Sequence, residues 1–149
     1  MIEARKTVAS TGPATFRLDV VTPRRQVVSE QVTAVVVPGS EGYFGVLPEH
    51  IPFITTLKAG ALTYWKGKEE HHVAVIRGYA EVRGDRVNIL ADAAEAAEEI
   101  DVARVERARE RAERRLAEWA SGSTTVDFAR AQAALQRALA RLEAAGKSH

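Results

Sequence analysis

The chain of 149 residues contains no cysteine. That excludes disulfide staples, thiolate zinc ligands and cysteine nucleophiles. An excess of one charge sign is also missing. Lys+Arg 21 against Asp+Glu 20 leaves a formal net charge of +1, so the overall balance gives no reason to expect a nucleic-acid partner. No apolar run approaches the ~18–20 residues that span a bilayer. The opening Met1-Ile2-Glu3-Ala4-Arg5-Lys6 is not followed by the apolar core of a secretory signal. These absences predict a soluble chain with no direct membrane insertion, held at any membrane by something else. At 46% hydrophobic residues the length suits one domain, or one domain with an appendage.

Proline is absent from the second half. All five prolines (Pro13, Pro23, Pro38, Pro48, Pro52) and eight of the ten glycines precede Asp92. Beyond it, 17 of 57 residues are alanine and charges of both signs crowd together. Proline and glycine punctuate short strands, whereas alanine with Glu and Arg is helix chemistry. The expected class is therefore α+β: an N-terminal antiparallel β-sandwich, or flattened barrel, over 1–92, then a C-terminal two-helix antiparallel hairpin over 93–149. Strands are predicted at 16–20, 32–37, 61–65, 72–76, 79–82 and 87–90, with 32–37 buried on both faces and a break at Arg77-Gly78. The first ~12 residues are expected to be loosely ordered.

The first helix is predicted from Asp101, a good N-cap, to about residue 120, with Val105, Ala108, Ala112, Leu116 and Trp119 as its seam. Ser121-Gly122-Ser123 breaks it. Thr124 with Asp127 resembles a capping box that opens the second helix, whose seam is Phe128, Ala131, Leu135, Ala138 and Leu142. Both seams are thin. Burying a leucine is worth ~1.5–3 kcal/mol and an alanine methyl much less, and isolated helices of this length are marginal. A pair so weakly held is expected to detach from the sandwich at small cost.

The most distinctive segment is Pro38-Gly39-Ser40-Glu41-Gly42-Tyr43-Phe44-Gly45-Val46-Leu47-Pro48-Glu49-His50-Ile51-Pro52. With Leu57-Lys58-Ala59-Gly60, Gly78-Tyr79-Ala80-Glu81-Val82 and Val87-Asn88-Ile89-Leu90-Ala91-Asp92, it resembles the epsilon subunit of F-type ATP synthases. The likeness continues through Ile100-Asp101-Val102-Ala103-Arg104 and Glu110-Arg111-Ala112-Glu113-Arg114-Arg115-Leu116, covering about residues 14 to 145. It implies a rotor subunit of the central stalk of a proton-translocating ATP synthase, peripheral on the cytoplasmic face of the bacterial plasma membrane. Its sandwich would meet the gamma subunit and the c-ring. Its hairpin, when extended, would reach the alpha and beta catalytic subunits and inhibit ATP hydrolysis. The resemblance implies no catalysis and no required cofactor, with ATP as a regulatory ligand.

Some members of that family bind ATP on the folded hairpin through an Ile/Leu-Asp-x-x-Arg-Ala motif. The matching run here is Ile100-Asp101-Val102-Ala103-Arg104-Val105, with Val105 in place of alanine. Arg104 and Arg111 are seven apart and share a helix face, as do Arg137 and Arg141, four apart. Four guanidiniums converging across a hairpin suit a triphosphate. Ile100 and Asp101 would then face the adenine, and Glu95 occupies the position of a further contact. The plain alternative is an i,i+4 lattice in which Glu106, Glu110 and Glu113 solubilise Arg109, Arg111, Arg114 and Arg115. Arg104, Arg107, Arg111 and Arg115 form a basic stripe suited to an acidic partner surface.

Other motifs read as architecture. The three-glycine segment lacks the Gly-Lys-Ser/Thr ending of a P-loop. His71 and His72 are adjacent in a strand and point to opposite faces. His50 has no nearby metal-ligating partner, Glu69-Glu70 is a solvated turn, and Ser10, Ser29 and Ser40 have no triad context. With no acid, base or nucleophile pair, an enzyme is disfavoured. The competing reading to a rotor subunit is a free-standing nucleotide-sensing sandwich with a helical lid. A rotor subunit needs a partner-sized apolar patch, for which Tyr43, Phe44, Leu47, Ile51 and Phe53 are candidates.

Overall fold

The computed structural model describes residues 14–146, so the opening segment expected to be loosely ordered lies outside it. Eight strands come first: β1 (Phe16–Val21), β2 (Gln26–Val32), β3 (Ala34–Gly39), β4 (Gly42–Val46), β5 (Phe53–Leu57), β6 (Gly60–Lys66), β7 (Glu69–Val82) and β8 (Arg86–Ala96). A short 3-10 turn (Ala97–Glu99) leads into α1 (Val102–Ala120) and α2 (Phe128–Ala144).

The strands hydrogen-bond in the order β2-β1-β8-β7-β5-β3-β4, and β6 bridges β3 and β7. Pairing is antiparallel except between β1 and β8, which run parallel. The alternation in β1 buries Phe16, Leu18 and Val20 and turns Arg17 and Asp19 outward. These residues join Val35, Val37, Leu62, Val73, Val75, Val87 and Ile89 in one core of branched side chains between the two layers.

Three sequence expectations change. Residues 32–37 are not one strand: Val32 ends β2, and β3 begins at Ala34 after a bend at Thr33. Within β3 burial alternates, with Val35 and Val37 buried and Val36 only partly so, because one face of the strand looks out of the core. The Pro38–His50 segment is also less of a loop than it reads. Its first part is the β3–β4 hairpin, with Ser40 and Glu41 at the tip and Gly39 opposite Gly42. Finally, the compositional shift at Asp92 falls inside β8. The strand continues to Ala96 because Ala93, Ala94 and Ala96 still pair with β7, opposite Ile76, Val75 and Val73.

The expected break at Arg77-Gly78 is a corner within β7. On one side β7 pairs first with β6 and then with β5, in a single register interrupted at Lys58-Ala59. On the other side the ladder to β8 skips the Arg77–Asp92 step. Arg77 has φ 50° and Gly78 φ 138°. A Cβ on Gly78 would lie 2.0 Å from the Leu90 carbonyl oxygen. The ribbon therefore turns from one layer to the other where only glycine fits.

The helices begin on aspartates. The Asp101 carboxylate accepts from the Arg104 amide at the start of α1, and Asp127 accepts from the Arg130 amide at the start of α2. Asp127 itself is the N-cap, so the proposed box on Thr124 is displaced by three residues. A nearer carboxylate wins the free amides. The two helices form the expected antiparallel hairpin, but their burial is unequal. α1 buries only Val105 and Ala112, whereas α2 buries Ala131, Ala138, Ala140, Leu142 and Ala144. The cause is position: α2 lies on β6 and β7, and α1 packs on α2.

Gly78→Ala is expected to cost about 3 kcal/mol or more, since strain and overlap with backbone add. Denaturant midpoints of the two proteins check this, and an unchanged midpoint would mean that the corner relaxes freely.

Candidate functional site

Ala61 on β6 stands directly opposite Ala74 on β7. Both face outward from the sandwich, and Ala138, Leu142 and Ala144 of α2 cover them together with Ile100 and Val105. This seat is separate from the sandwich core and contains few large side chains. Polar ties surround it. Arg141 Nε donates to Glu95 Oε1 at 3.0 Å, and the Tyr43 hydroxyl donates to Glu143 Oε1 at 3.0 Å while accepting from the Ala61 amide at 3.3 Å. A Cβ on Gly60 would lie 2.6 Å from that hydroxyl, which accounts for the glycine after Leu57-Lys58-Ala59. Arg25, in the β1–β2 turn, makes a two-point pair with Glu99 at 2.8 and 3.1 Å. That pair ties down the root of the hairpin and holds the Glu99 carboxyl below its usual range.

A cleft of about 1010 Å³ lies between α1 and α2. Alanines 108, 112, 131, 134 and 138 contribute its apolar lining. From α1 it receives Arg104, Arg111, Arg114 and Arg115, and from α2 Arg130, Arg137 and Arg141. Its carboxylates are Glu95, Asp101, Glu118 and Asp127. Two of these are occupied as helix caps and one by Arg141. Among the described residues the i,i+3 or i,i+4 ion pair on α1 is Arg109–Glu106 at 2.9 Å. The Glu-to-Arg lattice expected as the plain alternative therefore does not engage Arg111, Arg114 or Arg115, and their guanidiniums face the cleft.

The structure thus brings Glu95, Asp101, Arg104, Arg111, Arg137 and Arg141 to one cavity. It does not bring Ile100 there. Ile100 is 8% exposed and packs in the apolar seat, so its side chain does not face a ligand in the cleft. Val105 belongs to both the seat and the lining. Arg107 of the basic stripe is exposed outside the cleft. Sequence spacing placed Arg115 on the Arg104–Arg111 face as part of a partner-facing stripe but did not join it, Arg114 or Arg130 to the cleft. The signal was present, since Arg115 lies four residues beyond Arg111 and Arg130 seven before Arg137.

Most residues read as architecture behave as such, but Glu69 and Glu70 open β7 opposite Lys66 and Trp65 and do not form the turn, and Ser10 lies outside the described residues. His71 stacks on Tyr64, with ring centroids 4.9 Å apart, while His72 bonds Thr63 at 3.0 Å on the other face. His50 Nδ1 bonds the Leu47 carbonyl, and the ring meets the Phe16 ring edge-on. Among the described residues no group of His, Asp or Glu could hold a metal ion. Among the described residues no helix is long and apolar enough to cross a membrane.

A second surface is apolar. Ile54, Tyr79 and Leu90 are 70%, 57% and 52% exposed. Tyr79 sits directly opposite Leu90, and Ile54 belongs to the neighbouring strand. Leu47, Ile51 and Phe53 are exposed as well, whereas Phe44 packs against the core.

The sandwich and the helical hairpin each match a domain of one known family. Residues 15–97 match the beta-sandwich domain of the ATP synthase delta/epsilon chain, and residues 98–146 match its long alpha-helix domain. The chain is 59% identical over 103 residues to an ATP synthase epsilon chain of Syntrophobacter fumaroxidans, covering 69% of this chain and 77% of that one. It is 52% identical over 134 residues to the epsilon chain of Moorella thermoacetica, covering 89% and 98%. Among solved structures it resembles a chain of the Euglena gracilis mitochondrial ATP synthase (OSCP/F1/c-ring), with TM-score 0.74 and 28% identity over 91% of this chain and 86% of that chain. The chain belongs to the ATP synthase delta/epsilon family, as an epsilon subunit of the central stalk, and so to a membrane-associated assembly.

The Tyr43 phenol is held above its ordinary pKa, first by burial and then by Glu143. A raised phenol stabilises the folded state fully below its unfolded value of about 10 and loses that contribution as pH rises through the folded value. The stability difference between the protein and its Tyr43→Phe variant should therefore be constant through neutral pH and shrink in alkali. Thermal midpoints against pH would show it, and a constant difference would remove Tyr43 as a latch.

Proposed function

We propose that this subunit is a non-catalytic regulator whose hairpin leaves the sandwich to restrain ATP hydrolysis and is held down by ATP bound between α1 and α2. The carrying observation is the cleft, where guanidiniums of both helices face one another with few carboxylates left to neutralise them. Like charges brought together across a narrow gap oppose the folded hairpin, while the seat beneath contributes mostly methyl contacts. A triphosphate reaching Arg104 and Arg111 from one side and Arg137 and Arg141 from the other converts repulsion into forked, charge-assisted bonds. At a hundred times its dissociation constant it adds ~2.7 kcal/mol to the folded hairpin, enough to decide a nearly balanced equilibrium. Once released, the same arginines suit acidic surfaces of the alpha and beta catalytic subunits.

The exposed face around Ile54, Tyr79 and Leu90 supports an assembled subunit over a free-standing sensor, because a lone soluble domain rarely leaves such apolar residues clustered in water. In this reading the sandwich meets the gamma subunit and the c-ring through that face and through Leu47, Ile51 and Phe53. It does so in a proton-translocating complex at the cytoplasmic side of the bacterial plasma membrane.

Calorimetric titration of the isolated chain with ATP and with MgATP is expected to show one site, weakened about tenfold or more by Arg104→Ala or Arg137→Ala. No heat with ATP in large excess would end the ligand reading. Truncation after Ala97, which keeps β8 whole, should leave assembly intact and raise ATP hydrolysis by the complex. Unchanged hydrolysis would leave the hairpin as a passive arm. Ile54→Asp with Tyr79→Asp should reduce retention of the chain in the purified complex while its own unfolding midpoint stays within ~1 kcal/mol.

A further inference from the structure

The cleft runs well past the guanidiniums that a nucleotide's phosphates would occupy. Arg104 and Arg115 on α1, like Arg130 and Arg141 on α2, are eleven positions apart, a rise of about 16 Å along each helix. Because the helices are antiparallel, Arg114 and Arg115 lie toward the same end as Arg130, away from the sandwich. Asp127 beside them is engaged with the Arg130 amide. Among the described residues none of these three guanidiniums forms an ion pair. The lining contains no aromatic ring, and alanine methyls supply much of its apolar surface. A base stacking there would rest on a guanidinium plane and not on a ring, whereas the forked donors match phosphate oxygens directly.

We propose that the cleft is a track for a linear condensed-phosphate chain, with Arg114, Arg115 and Arg130 forming an outer subsite that a triphosphate seated at Arg104 and Arg137 does not reach. The proposal deepens the reading of the same cleft as an anion site and rests on it. A condensed phosphate carries charge on every unit and asks only for donors. An acidic peptide fits less well: alternate side chains of an extended chain point away, and its buried backbone amides would need acceptors that alanine methyls do not offer.

The test is calorimetry on the full chain with tripolyphosphate, a long linear polyphosphate, ATP and oligoglutamate. Polyphosphate is expected to bind about tenfold or more tighter than tripolyphosphate, counted per bound chain, from the added charge-assisted contacts. In the Arg114→Gln, Arg115→Gln, Arg130→Gln triple variant, checked for helix content, that gain should vanish while ATP affinity falls far less than it does in Arg104→Ala. Equal affinities for the two phosphates, a gain that survives in the variant, or oligoglutamate binding as tightly would overturn the track. Binding of ATP without any length dependence would overturn it and leave the nucleotide reading standing. Binding of both phosphates with the expected length dependence, but not of ATP, would support the track and end the nucleotide reading.

Discussion

Ala61 and Ala74 meet across the β6–β7 ladder, and Leu142, Ala138 and Ala144 of α2 lie over them. Small side chains let the helix approach the sheet closely, and for the same reason little apolar area is lost when it lifts away. The sandwich beneath is different. Its core of Phe16, Leu18, Leu62, Ile89 and many valines is complete without the helices. One choice of residue thus gives the molecule a rigid body and a shallowly bound appendage. Any motion of the hairpin starts from that inequality.

Electrostatics sharpens it. The hairpin is tied near its root by Arg25–Glu99, Arg141–Glu95 and Tyr43–Glu143, and near its tip by the rings of Trp119 and Phe128, 4.5 Å apart. Between these ties the helices present arginine to arginine. The ties are partly exposed and individually weak. The charge between them has no matching set of carboxylates, which is why we propose an anion between the helices. In the proposed function, that cleft would couple a stalk subunit to the concentration of a phosphorylated metabolite.

The motifs that mark the family belong mostly to the framework. Gly39 and Gly42 flank the β3–β4 turn, Gly60 leaves room for the Tyr43 hydroxyl, and Gly78 turns the β7 ribbon between layers. Tyr43 joins framework to hairpin, since it stands at the start of β4 and bonds the last stretch of α2.

Composition and periodicity alone determined the class, the order of halves, both helices, the Asp101 cap and the buried middle of each seam (Val105 and Ala112; Ala131, Ala138 and Leu142), though not the exposure of Trp119 and Phe128 or the burial of Ala140 and Ala144. They also placed Arg104 with Arg111 and Arg137 with Arg141, since helical spacing decides a face. What spacing could not decide was which face meets what. Ile100 lies one residue before a cap and could have turned to a ligand, but the apolar seat between sheet and hairpin claims it. Glu95 falls in the half assigned to the hairpin and is a strand residue, because β7 is long enough to keep pairing past Asp92. Arg114, Arg115 and Arg130 became site residues only when the antiparallel crossing of two helices put them on one cleft. Local sequence fixes which groups share a helix face, whereas long-range packing alone fixes what that face looks at.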